Sequence, residues 1–136
     1  MNEDPAMKID RRTFIEMLAG AGAMTIASLA LAQGKTIEVS MKNSPKAAFV
    51  PATVNINVGD TVKWTNSGFI THSVTFDPTH SAKTSDVSLP AGVAPFDSGA
   101  MEEGATFSHT FNVKGAYQYF CKFHEAMGMV GTVVVS

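Results

Sequence analysis

The sequence predicts an all-β domain, a Greek-key sandwich of two packed sheets, preceded by an N-terminal export signal. Short segments alternate between apolar and polar residues, which is the pattern of half-buried strands. Turn-forming residues separate these segments at the intervals expected of a sandwich, and no stretch after residue 33 keeps a helical period. The length of 136 residues fits one such domain.

The first 32 residues have the composition of an export signal. Arg11 and Arg12 precede an apolar stretch, residues 17–31, that is rich in Gly and Ala. These arginines and the three residues after them resemble a twin-arginine signal. An uncleaved membrane anchor is the alternative, but it would need about 20 strongly apolar residues. We therefore predict a twin-arginine-type signal peptide at residues 1–32.

Cleavage is predicted after Ala32, because residues 30–32 place small side chains where such signals are cut. The domain would then comprise residues 33–136 of an exported protein. The periplasm is the expected compartment, with the thylakoid lumen and an archaeal cell surface as alternatives.

The charge balance argues against a nucleic-acid partner. The chain has 10 Lys and Arg against 12 Asp and Glu, which leaves no basic surface for a polyanion. Residues 33–136 contain seven Lys and eight acidic residues, a net charge of about −1. We expect the processed chain to be a monomer without a membrane span.

The predicted strands of the first half follow one another closely. Residues 36–41 alternate, and residues 54–58 alternate before the turn Gly59-Asp60. Residues 61–65 come after this turn and are predicted to be the partner strand of 54–58. A further strand is predicted at residues 71–77.

The second half begins with a long irregular segment, residues 78–104, whose prolines and glycines predict a loop that can hold one short helix or an irregular edge strand. Strands are then predicted at 107–113 and 117–121, on either side of the turn Lys114-Gly115. A β-branched strand at 131–136 closes the chain.

Three candidate metal ligands fall within nine residues. Cys121, the only cysteine, is followed by His124 and Met129 in the spacing C-x2-H-x4-M, so that one loop could wrap them around an ion. Thiolate and thioether are soft ligands and imidazole is intermediate, which favours copper over magnesium or calcium. Zinc is the alternative, but a thioether is a poor zinc ligand and structural zinc sites use several strong ligands. The set therefore indicates copper.

A fourth ligand is expected from the other histidines, His72, His80 and His109. His72 is favoured, because it lies at the start of the predicted strand 71–77, where a loop meets the end of a sheet. His109 lies on an aromatic strand face and is expected to be a core or half-buried residue. His80 is expected to be solvated. Two His and one Cys with a weak axial Met define a blue-copper site.

The segments around these residues resemble the small cupredoxins, especially plastocyanin and its bacterial relatives pseudoazurin and amicyanin. The similar segments are Asp60-Thr61-Val62-Lys63-Trp64, residues 68–77, Tyr117-Gln118-Tyr119-Phe120-Cys121 and residues 128–135. The resemblance covers essentially the whole of residues 33–136, and it implies a cupredoxin-like fold with one type 1 copper ion.

The resemblance also implies a role for each ligand. His72 and His124 would bind through an imidazole nitrogen, Cys121 through a short thiolate bond, and Met129 as the long axial ligand. The C-x2-H-x4-M spacing is that of plastocyanin and pseudoazurin, whereas the shorter spacing of amicyanin would select Met127.

Two residues depart from the family pattern. Ser73 stands where the family usually has Asn, and Phe123 stands where a Pro commonly precedes the second His. The usual Asn ties the two ligand loops together by hydrogen bonds, and Ser73 has a shorter side chain with fewer donors. We therefore expect Ser73 to shift the reduction potential.

Four protein ligands leave no open position for a substrate, so the predicted function is to shuttle single electrons rather than to catalyse a reaction. The resemblance implies that electrons pass at His124, inside an apolar rim that brief docking to a redox partner would use. Expected partners are a cytochrome, a copper enzyme or a photosystem. The candidate rim residues are Phe69, Ile70, Pro90, Met127 and Gly128.

Two other classes of function remain open at this point. The first is an open-site copper enzyme on the same fold, in which Met129 does not bind. The second is a copper carrier or sensor that binds Cu(I) and hands it on.

Overall fold

A computed structural model describes residues 34–136, and the predicted signal at residues 1–32 lies outside this range. The described chain forms seven strands and three 3₁₀ helices, and it includes no helix with the length and apolar character needed to cross a membrane. The strands are β1 (Thr36–Lys42), β2 (Ala48–Val50), β3 (Thr53–Ile56), β4 (Thr61–Asn66), β5 (Thr106–Thr110), β6 (Gly115–Phe120) and β7 (Val130–Val135). The 3₁₀ helices span Pro78–His80, Thr84–Asp86 and Glu125–Met127.

The strands form two sheets, with the orders β2-β1-β4-β5 and β3-β7-β6. Alternate side chains of each sheet are buried between them, for example Val62 and Trp64 on β4 and Val133 and Val135 on β7. This arrangement confirms the predicted two-sheet sandwich, because the period-2 pattern points one face of each strand into a shared core.

The predicted pairing of residues 54–58 with 61–65 is wrong. β3 pairs in parallel with β7, whereas β4 pairs with β1 and β5 in the other sheet. Between β3 and β4, the carboxylate of Asp60 accepts hydrogen bonds from the backbone N–H of Asn57 (2.9 Å) and Lys35 (2.8 Å). These bonds fix the turn so that the chain crosses from one sheet to the other and does not fold back as a hairpin.

A second crossing joins β5 to β6. β5 ends at Thr110, three residues before the predicted end, and the buried side chain of Phe111 begins the crossing. The hydroxyl of Tyr117 donates to the carbonyl of Val113 at 2.7 Å. This bond from a Tyr to a carbonyl a few residues upstream fastens the corner between the sheets, as a tyrosine corner does.

The predicted strand at residues 71–77 is also wrong, because this segment forms only isolated bridges. His72 pairs with Met101, and Thr75 pairs with both Asp97 and Phe120. The backbone partners come from two different segments of the chain, so a continuous ladder cannot form. Residues 72–76 are nevertheless all buried, and the segment lies in the interior between irregular neighbours.

Residues 78–104 are irregular, as predicted, and they contain two short 3₁₀ helices where the sequence suggested one short helix or an edge strand. Asp77 caps the first of them, because its carboxylate accepts from the backbone N–H of Thr79 at 2.9 Å. Further along, Ser88 pairs with Gln118 of β6 as an isolated bridge. The segment therefore follows the edge of the second sheet without joining it as a strand.

Aromatic side chains fill the core behind β6. The indole N–H of Trp64 donates to the hydroxyl of Tyr119 at 2.9 Å, and the two rings meet edge-on with centroids 5.4 Å apart. Burial raises the pKa of Tyr119, which keeps this hydroxyl protonated. Gly131 lies opposite Tyr119 on β7, where a Cβ atom would collide with the phenol ring.

We predict that Tyr119→Phe destabilises the copper-free domain more than Tyr117→Phe does. Tyr119→Phe leaves the buried N–H of Trp64 without an acceptor, at a cost of about 1–3 kcal/mol, whereas Tyr117→Phe removes one ordinary hydrogen bond worth about 1 kcal/mol. Val113 is exposed, so water can satisfy its carbonyl in the second variant. Urea unfolding measures both free energies, and an equal or reversed order would contradict the prediction.

Candidate metal centre

Four side chains that the sequence singled out lie at one end of the sandwich. Cys121 directly follows β6, and Met129 directly precedes β7, so residues 121–129 form a loop, here called the ligand loop, between two adjacent strands. His124 lies inside this loop, just before its 3₁₀ helix. His72 comes from the buried segment that pairs with Phe120 through Thr75.

The structure brings His72, Cys121 and His124 together, with one candidate ligand atom of each lying within 4.8 Å of the others. The Sγ atom of Cys121 is 3.7 Å from Nδ1 of His72 and 3.4 Å from Nδ1 of His124. The two imidazole rings are 4.9 Å apart at an angle of 52°. His72 and Cys121 are fully buried and His124 is half-buried, so this two-nitrogen, one-sulfur set has a single edge towards solvent.

Met129 is buried at the base of the ligand loop, with 1% of its surface exposed, whereas Met127 is 63% exposed. The backbone N–H of Cys121 donates to the carbonyl of Met129 at 3.0 Å, and the N–H of Met129 donates to the carbonyl of His124 at 3.3 Å. Gly128 turns the chain between the two methionines with φ +80°, a left-handed conformation that favours glycine. This turn directs Met129 inward and leaves Met127 outside.

The other two histidines lie elsewhere, as the sequence analysis expected. His80 is exposed and lies beside Asp77 and Asp97, at 3.8 and 4.0 Å. His109 is half-buried and stacks on Phe96, with ring centroids 3.9 Å apart.

Asn43, a residue that no sequence pattern indicated, lies behind the His72 ring. Its side-chain amide lies 2.8 Å from Nε2 of His72, which leaves Nδ1 facing Cys121. The other end of the same amide lies near the backbone N–H groups of Phe69 (2.7 Å) and Ile70 (3.2 Å). Burial lowers the pKa of His72, and the nearby His124 lowers it further, which favours the neutral ring that metal ligation requires.

Ser73 connects the two ligand-bearing segments in spite of its short side chain. Its backbone N–H points at Sγ of Cys121 at 3.4 Å, and its Oγ accepts from the backbone N–H of Lys122 at 2.9 Å. Its Oγ also lies 2.8 Å from the hydroxyl of Thr75. A serine at this position therefore does link the loops, through contacts that involve further residues.

Glu125 fastens the ligand loop to the irregular segment beside it. Its carboxylate accepts from the backbone N–H of Ala82 (2.9 and 3.0 Å) and of Lys83 (3.1 Å). Burial opposes ionisation, but these backbone hydrogen bonds hold the pKa of Glu125 below its usual value.

Large apolar side chains are exposed around the ligands. Phe69 is 78% exposed and Phe123 is 48% exposed, and with Met127 they form what is here called the apolar rim. Phe69 and Met127 were predicted members of this rim, but Pro90, which was also predicted, does not belong to it. Pro90 packs against Gly115 at the start of β6, about 20 Å along the strand from Cys121.

Comparison with known proteins gives the family of this chain. The sequence profile of the copper-binding proteins of the plastocyanin/azurin family matches residues 35–136. Over 127 residues the chain is 32% identical to the chloroplast plastocyanin of Tetradesmus obliquus, an alignment that covers 89% of this chain and 82% of that protein.

Solved structures have the same fold. Pseudoazurin from Methylobacterium extorquens AM1 superposes with a TM-score of 0.59 and 27% identity, over 74% of this chain and 75% of that one. A copper-containing nitrite reductase from Thermus scotoductus SA-01 superposes with a TM-score of 0.56 over 74% of this chain and 22% of the reductase. Its identity of 23% shows a common fold alone. On the profile match and the plastocyanin identity, this chain belongs to the plastocyanin/azurin family of copper-binding proteins.

Proposed function

We propose that this protein is a type 1 copper electron carrier in which His72, Cys121, His124 and Met129 hold one copper ion. The observation that carries the proposal is the convergence of two imidazole nitrogens and one thiol within 4.8 Å, next to a buried thioether-bearing loop end. Soft sulfur and intermediate nitrogen donors fit copper. When bound, the copper supplies a Cu(I)/Cu(II) couple that gains and loses one electron.

The surrounding chain is built to keep the ligands in one arrangement. His72 is fixed by Asn43 on one side and by backbone bonds to Met101 on the other, at 3.0 and 2.7 Å. Cys121 is fixed by its N–H bond to Met129 and by the N–H of Ser73. Side chains that do not move when the charge at the site changes allow fast electron transfer, because little reorganisation is needed.

A carrier role is favoured over an enzyme. The four proposed ligands would fill the site, and three of them are at most 1% exposed, which leaves no place for a substrate or an activated water. His124 is the proposed exit for electrons, since its ring is the one ligand group that is half-buried. The proposed partners are redox proteins that dock briefly on the apolar rim, such as a cytochrome, a copper enzyme or a photosystem.

We further propose that residues 33–136 are the exported domain and that residues 1–32 are its twin-arginine-type signal. The motif around Arg11 and Arg12 supports export. The periplasm is the proposed compartment, and there a bound metal would occupy the lone buried thiol of Cys121, which has no disulfide partner.

Adding Cu(II) to the apoprotein is expected to produce an intense visible charge-transfer band from Cys121, and Cys121→Ser is expected to abolish it. Met129→Leu should keep the colour but raise the reduction potential, because the axial ligand tunes the copper. Met127→Leu is the matched control and should change neither property. A native protein without the intense band would contradict the carrier proposal. If Met127→Leu changes the reduction potential and Met129→Leu does not, the axial ligand is Met127.

Voltammetry with the copper retained in both redox states distinguishes an electron carrier from a protein that hands on Cu(I). We expect Ser73→Asn to shift the reversible potential by tens of millivolts, since a hydrogen bond worth about 1 kcal/mol corresponds to about 40 mV for one electron. Ser108→Asn, at an exposed position on β5, is the control. Equal potentials for the native protein and Ser73→Asn would remove the idea that this position tunes the copper.

The apolar rim can be tested without knowing the partner, by electron self-exchange between two copies of the protein. Met127→Lys is expected to slow self-exchange on the order of tenfold, because docking would bring two positive charges together. Val58→Lys is the control, since Val58 is exposed at the opposite end of the sandwich, where its N–H bonds to Ser136. NMR line broadening in mixed redox samples measures the rate, and equal slowing by both variants would argue against docking at the rim.

A further inference from the structure

A closed circuit of polar contacts begins and ends on Lys122, the residue after Cys121. The backbone N–H of Lys122 donates to Oγ of Ser73 (2.9 Å), which lies 2.8 Å from Oγ1 of Thr75. Thr75 donates to Oδ1 of Asp97 (2.9 Å), and Nζ of Lys122 donates to Oδ2 of the same carboxylate (2.7 Å). These four residues, Ser73, Thr75, Asp97 and Lys122, are here called the polar ring.

The direction of every hydrogen bond in the polar ring is determined by its charged end. An ionised carboxylate only accepts, so the single hydroxyl proton of Thr75 is committed to Asp97. Thr75 must then accept from the hydroxyl of Ser73, whose own oxygen accepts from the N–H of Lys122. Each hydroxyl donates once and accepts once, and a chain aligned in this way is mutually polarised.

Asp97 is suited to anchor this chain. Burial would raise its pKa, but hydrogen bonds from Lys122, from the backbone N–H of Gly99 and from Thr75 keep that pKa below its usual value. His80 and Asp77 approach the same region, but the His80 ring is 4.0 Å from Asp97, too far for a hydrogen bond.

The polar ring acts on the site through Ser73. Ser73 and Thr75 are completely buried, so neither hydroxyl can replace its partner with water. With its Oγ held from two sides, the backbone of Ser73 is fixed with its N–H pointing at Sγ of Cys121. The circuit thus joins three separate segments of chain, the two that bear the proposed ligands and the loop that carries Asp97.

We propose that Thr75, Asp97 and Lys122 are positioning residues that hold the N–H of Ser73 on the sulfur of Cys121. Ser73 makes the direct link between the two segments, and these three residues hold its hydroxyl in the orientation that this link needs. The effect on the copper rests on the proposed function, whereas the hydrogen-bond arrangement belongs to the protein without metal.

Amide hydrogen exchange of the copper-free protein tests the arrangement directly. Thr75→Val keeps the shape of the side chain but removes its hydroxyl, so exchange at Ser73 and Lys122 is expected to accelerate fivefold to tenfold, roughly what the loss of one hydrogen bond allows. Thr75→Ser restores the hydroxyl and should restore protection. Thr61→Val is the matched control, because it breaks a hydroxyl pair with Thr110 that is exposed and outside the polar ring.

A second comparison tests whether the four residues act as one unit. The double variant Thr75→Val/Lys122→Met should exchange no faster than the faster single variant, because either change opens the same circuit. If Thr75→Val does not fold, the exchange rate of Ser73 in Lys122→Met is the test. This change removes the ammonium partner of Asp97, and the side chain of Lys122 is only partly buried. Unchanged protection of Ser73 in the folded variants would overturn the proposal.

The copper-loaded variants separate this proposal from the proposed function. Thr75→Val should shift the Cys121 charge-transfer band, whereas Thr75→Ser and Thr61→Val should leave the band where it is in the native protein. If the protein is blue but Thr75→Val changes neither the charge-transfer band nor the exchange of Ser73, the role of the polar ring is refuted and the carrier proposal stands. A protein that shows no blue band, but in which exchange responds as expected, would refute the carrier and leave the positioning of Ser73 intact.

Discussion

The candidate metal centre depends on a pair of backbone hydrogen bonds between Thr75 and Phe120. The N–H of Thr75 donates to the carbonyl of Phe120 at 2.9 Å, and the N–H of Phe120 donates back at 3.1 Å. His72 lies three residues from one partner and Cys121 one residue from the other, so this pairing brings together two side chains that are 49 positions apart. The ligand loop can supply only the remaining contacts. The geometry of the candidate copper site is therefore set by the sandwich as much as by the nine-residue motif.

The parts of the structure that follow from local sequence were predicted well. Alternation of side chains gave most of the strands, and the spacing of Cys121, His124 and Met129 located the ligand loop because all three lie between adjacent strands. His72 was predicted as the fourth ligand because a His beside a predicted strand end suits a rigid site, and the structure places it beside Cys121 and His124. Met129 was preferred to Met127 on spacing, and the structure buries Met129 and exposes Met127.

The parts that depend on distant contacts were not predicted. The hairpin expected across Gly59-Asp60 does not form, because the carboxylate of Asp60 accepts a hydrogen bond from the backbone N–H of Lys35. This contact spans 25 residues, so no local pattern indicates it. Asn43 lies 29 residues from His72, and its role follows only from the folded geometry. The same is true of Asp97, which in the sequence is one more acidic residue in a loop. Polar residues that act from behind the ligands carry no spacing signal of their own.

The bond from Glu125 to the N–H groups of Ala82 and Lys83 bears on how the copper loop could change in evolution or in the laboratory. A loop between two adjacent strands can usually be exchanged as a unit, since its length can vary without disturbing the sheet that carries it. Here the middle of the ligand loop is hydrogen-bonded to a segment more than 40 residues earlier in the chain. A replacement loop without a carboxylate at this position would leave those two backbone donors without their acceptor. In this protein, the unit to exchange therefore consists of the loop together with the segment around Ala82 and Lys83 to which it is bound.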